Sequence, residues 1–175
     1  MATRVQSSIS HLKFGVRVVL LVALLLVLTS CGRAYTVIDP AVTLLDEAMA
    51  TGQLQYLEDL REGPLYGYTF DVPADWVGSV ELRNEGNRLW FDYIVTEGTP
   101  ASPIFSIMAL SRNQFWEQTG GYPGQYGDIV FTGDTYFIYQ LPVDAHYSGL
   151  SDDDYASLSA QVPQVVTSFQ VAALP

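Results

Sequence analysis

Tyr66-Gly67-Tyr68-Thr69-Phe70-Asp71-Val72-Pro73-Ala74-Asp75-Trp76 places an aromatic or branched apolar side chain at every second position from Tyr66 to Val72. A period of two is that of a strand with one buried face. Pro73 has no N–H to give to a ladder and ends the strand. Trp76 then falls where a large indole plugs one end of a core. The stretch predicts a β-rich domain that begins near Leu65.

Downstream, the strand pattern repeats. Val80 and Leu82 open a second strand, Glu85-Gly86-Asn87 supplies a tight turn, and Leu89, Phe91, Tyr93 and Val95 alternate in the return strand. After Thr99-Pro100-Ala101-Ser102-Pro103, a loop, Ile104 to Leu110 is almost continuously apolar, as in a central strand covered on both faces. Asn113 to Gln118 reads as a short helix with Phe115 and Trp116 inward or lining a groove. Gly120 to Gly127 reads as an aromatic-bearing loop. Ile129 to Phe131 and Tyr136 to Leu141 flank the hairpin turn Gly133-Asp134, and Pro142 closes that strand.

The last segment is a helix. Ser151 is the candidate N-cap, and Asp152, Asp153 and Asp154 occupy the first turn, where carboxylates suit the positive end of the dipole. Tyr155, Leu158, Val162, Val165, Val166 and Phe169 share one face, and Pro163 kinks or splits the helix. Upstream, residues 31–64 read as a tether with short helices. Asp39-Pro40 starts one, Leu44, Leu45, Ala48 and Met49 recur at helical spacing until Gly52, and Leu54, Leu57 and Leu60 form a second apolar face that stops at Gly63-Pro64.

Phe70-Asp71-Val72-Pro73-Ala74-Asp75-Trp76, the antiparallel meander and a final helix closing on Val165-Val166-Thr167-Ser168-Phe169-Gln170-Val171 resemble the PsbP-like domain over residues 65–172. The resemblance implies an α+β fold, an antiparallel sheet flanked by helices in an α/β/α sandwich, and a non-enzymatic binding or assembly role. This chain departs from the photosynthetic members. Its helical segment between the central strand and the last hairpin is shorter, and it has no lysine beyond Lys13. A photosystem role is therefore not carried over.

The N-terminal residues 1–30 read as a lipoprotein signal peptide. Arg4, Lys13 and Arg17 precede an apolar run from Val18 to Leu28, a basic region followed by a short hydrophobic one. As a helix the run spans ~17 Å at ~1.5 Å per residue, short of a ~30 Å hydrocarbon core. Leu28-Thr29-Ser30-Cys31 closes it and resembles the lipobox of bacterial lipoproteins. That resemblance implies cleavage before Cys31 and diacylglyceryl modification of its thiol, an extracytoplasmic protein held on a bacterial membrane by lipid. The weighed alternative is an uncleaved membrane helix with an incidental cysteine. Cys31 is the only cysteine, so no disulfide within the chain is available to the domain.

Removal of the signal leaves five arginines against all 19 acidic residues. Such a surface argues against nucleic acid as a partner. Solubility accounts for it more simply than an acidic docking surface does.

Chemistry-bearing groups are sparse. His146 with Asp144 has no Gly-x-Ser-x-Gly elbow to serve, so no catalytic residues are assigned. Asp144, His146 and Asp152 are the candidates for a metal, but carboxylates on consecutive helical residues fan out by ~100° each and converge poorly. No cofactor is expected. Trp116, Tyr122 and Tyr126 form the expected binding loop, a platform for an envelope protein or a small ligand. Two other functional readings stand beside it. One is a metal-assisted hydrolase using Asp144, His146 and the acidic helix start, and the other is a purely structural envelope protein.

Overall fold

The computed structural model describes residues 41–95, 100–121, 126–141 and 150–175. The signal segment with Leu28, Thr29, Ser30 and Cys31 lies outside them, as do Tyr122, Asp144 and His146. Among the described residues the fold is α+β, built mainly of antiparallel strands with three short α-helices.

Strand β5 (Tyr66–Asp71) is the middle of a three-stranded sheet, between β11 (Gln170–Ala173) and β2 (Met49–Leu54). Tyr66, Tyr68 and Phe70 are buried and the residues between them are less so, as their alternation requires. A six-stranded sheet runs in the order β1 (Ala41–Leu44), β6 (Val80–Asn84), β7 (Arg88–Tyr93), β8 (Ser102–Ser111), β10 (Thr135–Gln140), β9 (Tyr126–Thr132), every pair antiparallel. In the β9–β10 hairpin, Gly133 takes φ +62° at the first central position of a two-residue turn, where a type II′ turn calls for glycine.

Strand β8 is buried on both faces. Phe105, Ile107 and Ala109 join the main core, whereas Met108 and Leu110 form a second cluster with Ile138. In the main core, Phe91 stacks on Phe105 with centroids 4.1 Å apart and meets Phe70 of the other sheet at 5.3 Å. Trp76, fully buried, touches both Phe91 and Phe105. The terminal helices also close on this core. α2 (Asp152–Ser159) contributes Leu158, α3 (Val162–Ser168) contributes Val162 and Val165, and Phe169 stacks on Tyr68 at 5.7 Å. Ser151 caps α2, its Oγ accepting from the Asp154 N–H at 3.1 Å. Pro163 splits the segment and sits in the first turn of α3, where a missing N–H costs little.

The helices expected between Asp39 and Gly63 are not formed in the described part of that stretch. Residues 41–62 supply β1, β2 and the small hairpin β3 (Leu57–Glu58) with β4 (Arg61–Glu62). β1 pairs with β6 from Ala41↔Asn84 to Leu44↔Glu81, and β2 pairs with β5 from Met49↔Asp71 to Leu54↔Tyr66. The backbone groups of β1 and β2 are thus satisfied by strands 12 to 43 residues away, and helical spacing of four leucine-like residues cannot outweigh two sheet edges that need strands.

Candidate binding face

The helix α1 (Arg112–Gly121) follows β8 directly and begins with a reciprocal cap. Ser111 Oγ accepts from the Gln114 N–H at 3.2 Å, and Gln114 Oε1 accepts from the Ser111 N–H at 3.0 Å. The Gln114 amide also donates to the Leu57 carbonyl at 2.7 Å, tying the helix to β3. So anchored, α1 lays Phe115 flat on Tyr136 of β10, with centroids 4.2 Å apart and planes 12° from parallel.

Tyr136 is the cross-strand partner of Phe131 on β9, and their rings lie 4.3 Å apart. Trp116 meets Phe115 edge-on at 5.2 Å. Four aromatic rings thus form a continuous row from the helix to the outermost strand. A groove of about 200 Å³ runs along it, lined by Phe115, Phe131, Tyr136, Ile138 and Asp128. Trp116 is 62% exposed and Phe131 48%, so both ends of the row reach water.

Of the expected loop residues, Trp116 stands at one end of this row. Tyr126 is not in a loop. It is the first residue of β9 and packs, partly buried, against the Met108–Leu110–Ile138 cluster, while Gly120 and Gly121 end α1. Phe131 and Tyr136 were missed as site residues. Their signal was in the sequence all the same, two aromatics equidistant from a two-residue turn and therefore side by side on one face.

The same sheet face carries a charged network farther along. Arg83 Nε donates to Asp92 Oδ2 at 2.9 Å, and Arg83 Nη1 donates to Glu85 Oε1. Trp90 Nε1 donates to Glu85 Oε2 at 2.8 Å, and the guanidinium carbons of Arg83 and Arg88 lie 5.2 and 4.8 Å from the indole centroid. Burial raises the Asp92 pKa and is only partly opposed by the hydrogen bond and charge of Arg83. Burial lowers the Arg88 pKa, with weaker opposing pulls from Tyr126 and Glu85. Arg83 and the Trp90 indole thus hold three acidic oxygens, one of Asp92 and two of Glu85, in charge-assisted hydrogen bonds that link β6 to β7.

Among the described residues, no three His, Cys, Asp or Glu side chains gather as metal ligands. Asp152 is exposed at the start of α2, and its expected companions lie outside the described residues. Among the described residues, no helix is long and apolar enough to cross a membrane. What this face offers chemically is stacking area beside β9, the last strand of its sheet among the described residues. Comparison with protein-family models, curated proteins and solved structures returned no match to the chain.

Proposed function

We propose that this chain is an extracytoplasmic lipoprotein, moored to a bacterial membrane through lipid on Cys31, whose domain has a non-enzymatic binding or accessory role. The aromatic row of α1, β10 and β9 is its contact surface, and the partner is an envelope protein that presents apolar side chains. The observation that carries this reading is the exposure of Trp116 and Phe131 at the two ends of a stacked, grooved row. Large exposed aromatics concentrate binding energy at interfaces because they bring apolar area at small conformational cost. Beside them, β9 ends its sheet and has no further strand partner among the described residues, an edge that offers main-chain hydrogen bonds to an extended segment.

Two further considerations support it. The lipobox-like Leu28-Thr29-Ser30-Cys31 supplies the anchor. The finer fold reading is a PsbP-like α/β/α sandwich, supported by the order of β5, the Pro73–Trp76 turn, the β6–β7–β8 meander and the terminal helices. That resemblance implies binding or assembly.

The test is affinity capture of the full-length protein from detergent-solubilised membranes, with and without Trp116→Ala and Phe131→Ala together. The expected result is a partner recovered with the native protein and lost with the double variant. Recovery unaffected by both substitutions sinks the proposal for this face, and the absence of any captured protein sinks the binding role.

A further inference from the structure

A second concavity opens on the other side of the molecule, where the edge strands β1 and β2 of the two sheets part. It measures about 300 Å³. Its floor is apolar, formed by Leu45, Leu82 and Leu89. One end is closed by Asn84, whose side-chain amide donates to the Gln53 carbonyl at 2.9 Å and so ties one sheet to the other.

Tyr68 is the unusual member of this cleft. Its side chain is 5% exposed, yet its hydroxyl makes no hydrogen bond among the described residues, and burial pushes its pKa up to about 12. The phenol oxygen itself is not sealed from water: it opens onto the cleft that Tyr68 lines. The ring reaches the cleft only because β2 carries glycine at position 52. A Cβ there would lie 2.3 Å from the Tyr68 oxygen. Glycine within a strand weakens it, and here it opens a path that brings one phenol oxygen to a cavity wall.

The charges around the cleft are of one sign. Asp46 and Glu47 line it, and among the described residues neither has an arginine or lysine partner and no basic side chain lines the cleft. An anionic ligand meets repulsion at such a mouth. An ammonium group meets carboxylates at the rim and, deeper, a phenol oxygen with free lone pairs, while the leucine floor takes a short hydrocarbon. We propose that the cleft between β1 and β2 is a binding site for a small primary ammonium compound, with the Tyr68 hydroxyl as its hydrogen-bonding group and Asp46 and Glu47 as its charge complement. The site is separate from the aromatic row and does not depend on it.

The probes are n-butylammonium, n-butanol and n-butyrate, which share a chain and differ in head group, titrated into full-length protein. The readout is the NMR shift of the Gly52 amide and the Asn84 side-chain amide. Butylammonium is expected to give saturable shifts, and butyrate none. Tyr68→Phe keeps the ring and is expected to weaken butylammonium about tenfold, the value of one hydrogen bond to a charged group. Asp46→Asn with Glu47→Gln lies on exposed positions, leaves the fold untouched and is expected to weaken it about threefold while removing its salt dependence. Equal shifts from butyrate or butanol overturn the proposal, as do saturation unchanged in both variants and the absence of saturable shifts from any of the three.

Discussion

Arg83 and Asp92 sit on neighbouring strands, and the 2.9 Å hydrogen bond between them holds a carboxylate that is 2% exposed. The second oxygen of that carboxylate, Oδ1, is buried with no partner among the described residues, so the arginine is the main compensation for its charge. Arg83→Met is expected to destabilise the domain by about 2–3 kcal/mol, less than the ~3–5 kcal/mol of a wholly buried pair because the arginine keeps access to water. Urea unfolding checks this, with a lower midpoint and an unchanged slope.

The same carboxyl has a pH signature. Burial raises the Asp92 pKa above its ordinary value of 3.8, with Arg83 opposing in part. Between those two values the folded state keeps a proton that the unfolded state has lost. This group's contribution to stability is therefore greatest at low pH, falls as pH rises through that window and is level above it. The expected outcome is that wild type loses stability relative to Asp92→Asn as pH rises through the window. Parallel urea midpoints of the two proteins across the acid range measure it, and a constant difference contradicts it.

Leu60 occupies a position suited to another residue. The two-residue turn between β3 and β4 holds Asp59 at φ 48° and Leu60 at φ 62°, both in the left-handed region that a type I′ turn demands. A side chain with Cβ costs about 1–2 kcal/mol there, and glycine returns roughly half of that gain as lost chain entropy. With Leu60 at 68% exposure there is little packing to lose. Leu60→Gly is expected to stabilise the protein by about 0.5–1 kcal/mol, read as a higher thermal midpoint.

Two tryptophans are expected to respond in opposite ways to the same substitution. Trp76 is fully buried between Phe91 and Phe105, and Trp76→Ala is expected to cost about 3–5 kcal/mol through lost contacts and the cavity left behind. Trp116 is 62% exposed, and Trp116→Ala is expected to leave stability within about 0.5 kcal/mol while weakening partner capture. Denaturation and affinity capture on the two variants separate core from contact surface.

Period-two runs were legible wherever large apolar residues marked the buried face, as in Tyr66–Val72 and Leu89–Phe91. The run Met49–Leu54 was not. Its inward positions include Ala50 and Gly52, both small, and at Gly52 the Tyr68 ring fills the space a Cβ would need, so the alternation showed no apolar peaks and the leucines nearby suggested a helix instead. The binding face was partly legible. Trp116 stood out as an aromatic beside glycines, whereas Phe131 and Tyr136 become part of a site only when α1 folds back and Phe115 stacks on them.

By itself the sequence determined the strand core around Tyr66–Trp76, the capped and proline-split terminal helices, and the acidic balance of the chain, because each is written in neighbours a few residues apart. Only the tertiary structure decided that Ala41–Leu44 and Met49–Leu54 are strands, that Tyr68 faces an open cleft and that four aromatics line up across a helix and two strands. Those facts depend on pairings between distant segments, and a residue's own neighbours carry no record of which sheet edge will need it.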